Sequence, residues 1–159
     1  MRARRLRLPT RSLALIALLC CDACGGDAPT SGVDAGITCR TDPRAEAYAP
    51  NQTRPGQGGA FSFVLVQSEP GPPAKGTNTW TVRVTTPAGQ PVVGATLKAT
   101  PFMLDHGHGT SIVPQTTAVG DTFTVAPLYL FMPGLWRITL EAQLGTTLDS
   151  AQWFFCVEG

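Results

Sequence analysis

The sequence predicts an all-β fold, an immunoglobulin-like antiparallel β-sandwich of six or seven strands. Three observations lead to this prediction. Short runs rich in β-branched and aromatic residues alternate apolar with polar side chains, the period of two that marks a half-buried strand. Glycine and proline turns separate these runs at about the 8–12-residue spacing that is typical of β-sandwiches. No stretch of helical length combines helical periodicity with capping residues.

Three runs give the first strands. Residues 61–68, FSFVLVQS, end at EPGPPAKG, whose prolines cannot continue a strand. In TWTVRVTT the side chains of Trp80, Val82 and Val84 share one face. Alternation resumes after the turn PAGQP, and the strand is predicted to end at Thr100. The inward-facing residues of this third run are Val93, Ala95, Leu97 and Ala99.

Three further runs complete the sandwich. DTFTVAPLYLF places Phe123 and Val125 on one side, and MPG then turns the chain into LWRITLEA and TLDSAQWFFCV. The inward-facing residues of the last two runs are Trp136, Ile138, Leu140, Ala142, Ala151, Trp153, Phe155 and Val157. The three tryptophans are therefore interpreted as packing residues and not as a ligand platform.

The N-terminus has the layout of a secretory signal peptide. Five of the twelve Lys and Arg residues lie within the first eleven positions, and an apolar run, residues 13–19, follows directly. A membrane-spanning helix needs about 20 apolar residues, and this run is too short. We therefore expect residues 1–23 to direct export and to be removed.

The stretch LLCCDACGGD resembles a bacterial lipoprotein signal, in which the cysteine at the cleavage point is acylated. Cys24 is the predicted acceptor, because Ala23 precedes it and a Gly-Gly-Asp-Ala-Pro tether follows. Cys20 and Cys21 are alternative acceptors, and an ordinary cleaved signal peptide is the other interpretation. We divide the remainder into a flexible tether, residues 24–60, and a β-sandwich domain, residues 61–159.

The charge left after cleavage argues against a nucleic-acid partner. Removing five of the twelve basic and one of the eleven acidic residues leaves seven basic and ten acidic ones. The basic residues are scattered along the chain, so the clustered positive surface of a nucleic-acid-binding protein is not expected.

Two cysteines remain beyond the signal region, Cys39 and Cys156. In an oxidising exported compartment such a pair indicates a disulfide, and Cys156 points away from the predicted core, where it can meet the tether. A loop of this length contributes about 4–5 kcal/mol in the chain-entropy model. Two unrelated free thiols are the alternative.

The stretch MLDHGHGT contains both histidines of the chain. His106 and His108 lie on the same side of an extended segment, and thioether plus imidazole donors favour copper over zinc. With Met103 and with Met132 from FMPG, they form a candidate four-ligand copper site; Asp105 is a candidate hydrogen-bond acceptor for a ring. The alternative is that the methionines fill the rim of the core and the histidines cap a glycine turn.

Two segments, GQPVVGATLKATPFMLDHGHGT and FTVAPLYLFMPGLWRITLEA, resemble the YtkA-like and FixH-like family of small exported bacterial β-sandwich domains. The resemblance covers residues 61–157, and Asp105 stands where the family pattern favours a small residue. It implies a domain associated with envelope or membrane proteins, and in the FixH-like branch it implies copper supply to a respiratory oxidase.

Two functions follow as hypotheses. The first is a lipid-anchored domain of the cell envelope, on the inner or outer membrane and facing the periplasm or exterior, that binds copper or delivers it to a receiving protein. The second is a non-catalytic structural or interaction module for another envelope protein. No nucleophile elbow or paired carboxylates are present, and Cys39 and Cys156 lack the CxxC spacing of a redox motif, so we do not expect an enzyme.

Overall fold

Nine β-strands and one short 3₁₀ helix form the part of the chain that the computed structural model describes, residues 39–159. The helix spans Cys39–Thr41. The strands are β1 (Gln52–Pro55), β2 (Ser62–Glu69), β3 (Gly76–Thr85), β4 (Thr96–Met103), β5 (His108–Gly109), β6 (Gln115–Val119), β7 (Thr122–Leu130), β8 (Gly134–Leu144) and β9 (Thr147–Val157). The predicted signal peptide and Cys24 lie outside the described residues. Within residues 39–159, no helix has the length and apolar character needed to cross a bilayer.

The strands form two sheets, and all neighbouring strands are antiparallel. The first sheet has the order β1-β2-β3-β7-β6 and the second has the order β5-β4-β8-β9. The prediction of an all-β antiparallel sandwich is confirmed. The strand number is higher than the predicted six or seven because β1, β5 and β6 are short and polar. These strands bury little, so they lack the apolar alternation by which a strand is recognised.

The core lies between the two sheets and contains the predicted tryptophans. Trp80, Trp136 and Trp153 are fully buried. The ring of Trp80 in the first sheet meets Trp153 and Phe155 of the second edge-on, with centroid separations of 6.4 and 5.8 Å. Such contacts between facing sheets confirm that the alternating residues are packing residues.

Val93 was predicted to face the core, and this prediction is wrong. Val93 is 63% exposed, while its neighbour Val92 is buried. The turn at Val93 and Gly94 interrupts the alternation before β4 begins, and Gly94 has a φ of 83°. Val92 instead donates its N–H to the carbonyl of Val84.

Part of the segment predicted as a tether packs on the sandwich. Glu46 donates its N–H to the carbonyl of Phe154 at the edge of β9, at 2.8 Å. The Tyr48 ring lies against Phe155, and its hydroxyl accepts a hydrogen bond from the N–H of Ser68. Residues 52–55 then form β1 against β2. The folded body therefore begins before Phe61.

The sandwich has two ends, which we call the hairpin end and the far end. The hairpin end carries the β4–β5 hairpin, the β7–β8 connection (residues 131–133) and the disulfide between Cys39 and Cys156. The far end carries the turns before β4, between β6 and β7, and between β8 and β9.

Asp149 fastens the loop before β2 at the far end. Its carboxylate is buried and accepts hydrogen bonds from the N–H groups of Gly58, Ala60, Phe61 and Ser150 at 2.7 to 2.9 Å. Burial by itself raises the pKa of Asp149, but the four N–H donors outweigh it, so the pKa lies below its ordinary value. A Cβ atom at Gly56 would collide with this carboxylate, which accounts for a glycine there.

Candidate metal site at the hairpin end

The stretch MLDHGHGT forms a tight β-hairpin. β4 continues to Met103, three residues beyond the predicted strand end at Thr100. The chain turns over residues 104–107, and Met103 pairs with His108 across the hairpin. Gly107 has a φ of 69° and donates its N–H to the carbonyl of Met103 at 3.0 Å. Glycine is required there because other residues rarely adopt this backbone conformation.

Asp105 ties the hairpin to the start of β8. Its carboxylate accepts the N–H of Leu135 at 2.9 Å, and the N–H of Leu104 bonds the Leu135 carbonyl at 2.9 Å. From the sequence, Asp105 is a candidate acceptor for a hydrogen bond from a histidine ring; in the structure its carboxylate accepts the backbone N–H of Leu135 instead. Asp105 therefore fixes the turn that contains His106 and leads to His108.

The two histidine rings lie side by side on the hairpin. His106 is exposed and His108 is half-buried, and their ring centroids are 5.7 Å apart at an interplanar angle of 74°. Nδ1 of His108 lies 3.0 Å from the carbonyl oxygen of Gly109. This contact favours the tautomer that carries its proton on Nδ1, which leaves Nε2 its lone pair for a ligand or donor.

A row of aromatic rings supports His108. The ring of Phe131 stacks on His108 at 5.6 Å and on Tyr129 at 6.2 Å, and it meets Trp136 edge-on at 5.6 Å. We call Tyr129, Phe131 and His108 the aromatic row. No role is predicted for Tyr129 and Phe131 from the sequence, although Tyr129 lies between the buried Leu128 and Leu130 and Phe131 directly follows β7.

The two methionines lie at the rim of the core. Met103 has no exposed surface, and its methyl group occupies the space beside Gly134, where a Cβ would collide with it. Met132 is half-buried and packs against the core, and its carbonyl accepts a hydrogen bond from Trp136 Nε1 at 3.0 Å. Both side chains thus have packing roles. The β4–β5 pairing also places Met103 directly opposite His108.

The donor set fits a soft ion better than a hard one. No group of three or more His, Cys, Asp and Glu residues suited to a metal ion exists within residues 39–159. Two imidazoles that bind one ion through nitrogens at about 2.0 Å have ring centroids roughly 5–6 Å apart, and the observed separation lies in this range. Thioether sulfur would be needed for further protein ligands, and it favours Cu(I).

The predicted disulfide between Cys39 and Cys156 is confirmed, with an S–S distance of 1.96 Å and a Cα–Cα distance of 5.2 Å. Cys156 pairs with Leu135, the residue whose N–H is held by Asp105. The disulfide therefore lies next to the hairpin. Arg44 lies five residues after Cys39. Its hydrogen bonds to Asp42 raise the pKa of its guanidinium, and the negative charge of Asp105 adds to this effect.

Comparisons with known proteins give one match. The chain matches the YtkA-like family over residues 57–141, slightly more than half of its 159 residues. Neither a search of curated proteins nor a search of solved structures gave a match. The matched segment contains the hairpin with both histidines and the FMPG segment with Met132. By this match, and with the two-sheet fold that accompanies it, the chain belongs to the YtkA-like family.

Proposed function

We propose that this chain is an exported, lipid-anchored YtkA-like domain of the cell envelope that binds copper at the hairpin end and hands it to a receiving envelope protein. The observation that carries the copper proposal is the histidine pair. Two imidazoles lie 5.7 Å apart on a hairpin whose turn is fixed by Asp105. An ion between them is reachable from solvent because His106 is exposed.

The methionines have unequal parts in this proposal. Met132 is half-buried and lies on the short connection between β7 and β8, directly after Phe131, whose ring stacks on His108. Met103 is fully buried, and its sulfur can reach an ion only if the hairpin lifts from Gly134. We therefore expect His106 and His108 to dominate affinity, Met132 to add to it, and Met103 to contribute least.

The proposal is tested by titrating the purified protein with Cu(I) against a competing chelator. The His106→Ala/His108→Ala double variant removes both histidines of the chain and should lose binding. Met132→Leu, which keeps the apolar volume, should weaken it. Thr146→Ala, on the exposed far-end turn, is the matched control and should bind as the unchanged protein does. Equal affinity in the double variant would rule out the copper site.

The anchor is tested separately. We expect the mature chain to begin at Cys24 with an acylated N-terminus and to partition with membranes. Mass spectrometry of the N-terminal peptide measures the acyl group directly. Cys24→Ser should release the protein into the soluble fraction, whereas Cys20→Ser and Cys21→Ser should not. Release by one of these two variants would identify the alternative acceptor.

An interaction module without metal is the second candidate, and one observation favours it. Four aliphatic side chains are exposed on the turns and strand ends of the far end. They are Val93, Val119, Leu144 and Leu148. An exposed apolar surface is typical of protein contact sites. Thermal unfolding distinguishes the two candidates, because Cu(I) in excess should raise the melting temperature of a copper protein and leave an interaction module unchanged. The expectation that the chain is not an enzyme stays a prediction.

A further inference from the structure

The four outer strands of the two sheets differ in how their free edges are protected. The unpaired backbone groups of an edge strand can pair with another chain, and proteins prevent this with short strands, prolines, charges or covering segments. β1 has four residues and ends in Pro55, and β5 has two residues. β9 is bonded by the N–H groups of Glu46 and Gln57. Three of the four edges are therefore protected.

β6, the fourth outer strand, has none of these protections. Its sequence is QTTAV, and four of its five residues are exposed. No Lys, Arg, Asp or Glu lies between His106 and Gly120. The pairing of β6 with β7 runs without a register shift, so no bulge bends the strand away from a partner. Within residues 39–159, no backbone–backbone hydrogen bond reaches the outer side of β6.

The turn between β6 and β7 determines which backbone groups of β6 are free. The turn consists of residues 120–121, and Val119 pairs with Thr122 across it. Residues that flank a two-residue turn form a hydrogen-bonded pair, and such pairs alternate with non-hydrogen-bonded ones along a hairpin. The backbone N–H and C=O groups of Thr116 and Ala118 therefore point away from β7.

These free groups make β6 complementary to a second copy of itself. In an antiparallel pair centred on Thr117, Thr116 of each copy meets Ala118 of the other, and these two pairs form four backbone hydrogen bonds. The Thr117 side chains meet at the two-fold axis, and threonine pairs across strands are favourable. The same order brings Val119, which is 78% exposed, close to Val113 of the other copy, which is 66% exposed.

We infer that two copies of this protein associate through β6, which joins the five strands of each first sheet into one continuous sheet. A second copy suits this edge because the hydrogen-bonding groups match under two-fold symmetry and an uncharged strand brings no like charges together. Five residues give a short interface, so we expect a reversible dimer that depends on protein concentration. Neither the proposed copper site nor the proposed lipid anchor is needed for this contact.

Analytical ultracentrifugation of the purified protein over a concentration series tests the association, and we expect a dimer to form as the concentration rises. Thr117→Lys places like charges opposite each other at the two-fold axis and should raise the dissociation constant of the dimer about threefold to fivefold. Thr147→Lys, which changes an exposed threonine on β9, is the matched control and should leave the constant unchanged. A monomer at every concentration, or an equal effect of both variants, would overturn the inference.

Thr117→Cys tests the register of the pairing. Residues opposite each other in a non-hydrogen-bonded pair have Cα atoms about 4.5 Å apart, within the range of a disulfide, so oxidation should link two copies of this variant. Gln115→Cys is the matched control on the same strand. It lies opposite Val119 of the other copy and about 13 Å from Gln115 of that copy, so it should not link. Equal linking of the two variants would contradict pairing through β6.

Discussion

Each end of the sandwich is held by the carboxylate of an aspartate, and the two carboxylates differ in burial and in the number of N–H groups that they accept. At the far end, Asp149 is buried and accepts four backbone N–H groups. At the hairpin end, Asp105 is exposed and accepts the N–H of Leu135. A buried acceptor that serves four donors holds a loop rigidly, whereas a single part-buried bond to an exposed carboxylate fixes the hairpin less firmly. The contrast suits a structural far end and a hairpin end that binds a ligand.

The largest stability effect is expected at the hairpin end, from the disulfide. Cys39→Ser/Cys156→Ser opens a link across 117 residues and should lower the free energy of unfolding by about 3–5 kcal/mol. Urea denaturation measures the loss, and reductant added to the unchanged protein should reproduce it. A loss below about 1 kcal/mol would show that residues 46–57, which bond β9 through the N–H groups of Glu46 and Gln57, hold their place without the covalent link.

Asp149→Ala should have the next largest effect, about 3 kcal/mol, because it leaves three loop N–H donors, one buried and two part-buried, without their acceptor. Asp149→Asn keeps one acceptor oxygen and should cost less. Denaturation of both variants and exchange of the Gly58, Ala60 and Phe61 amides measure the difference. Equal stability of the alanine variant and the unchanged protein would contradict the structural role of the far end.

Asp149 should also make stability depend on pH. Its pKa is lower in the folded protein than its ordinary value, so the unfolded chain binds the proton first. Its contribution is fully present above the unfolded pKa of about 3.9 and is lost as the pH falls through the lower folded pKa. The urea concentration at the midpoint of unfolding should therefore decrease in the unchanged protein when the pH drops below about 4. Asp149→Asn should show a smaller decline.

Asp105→Ala should cost about 1 kcal/mol, because it breaks one hydrogen bond on an exposed hairpin. Its effect on the proposed copper affinity should be larger than on stability, since the turn that contains His106 and leads to His108 loses its fixed position. Parallel denaturation and Cu(I) titration measure the two effects. Asp105→Asn keeps an acceptor and is the control. A loss of stability as large as that of Asp149→Ala would contradict the comparison.

The smallest effect is expected at Val93. Val93→Thr changes a side chain that is largely exposed and should alter stability by less than about 0.5 kcal/mol. Val92→Thr, its buried neighbour, should cost about 1–3 kcal/mol because it buries a hydroxyl. Thermal unfolding of both variants checks the assignment. A larger loss of stability in Val93→Thr than in Val92→Thr would support the inward orientation that the sequence predicted for Val93.

The core strands could be predicted from the sequence because burial itself produces their pattern. Trp136, Ile138 and Leu140 alternate because one face of β8 packs against the other sheet. The short strands β1 and β5 gave no such signal, since their pairing depends on backbone hydrogen bonds that any side chain permits. Val93 was assigned inward because the alternation was continued across Gly94, where the chain turns.

The candidate site could be predicted in part. The glycines around His106 and His108 predicted a turn at this stretch. The expected export to an oxidising compartment, together with the pair of cysteines that remains there, predicted the disulfide. The roles of Asp105 and Asp149 could not be found in this way, because their partners are backbone N–H groups of residues 30 and about 90 positions away. Every residue except proline has a backbone N–H, so the residue type of a donor does not show that it bonds an aspartate. The sequence therefore cannot distinguish Asp105 and Asp149 from an aspartate exposed on the surface.

The strap formed by residues 46–57 has a consequence for how copies of this protein meet. β9 is an edge strand of eleven residues, and an edge of that length can pair with the edge of another molecule. Glu46 and Gln57 occupy its carbonyls at Phe154 and Ser150. The disulfide between Cys39 and Cys156 holds the chain that precedes this strap beside β9. Loss of the disulfide should therefore expose a sheet edge and favour self-association.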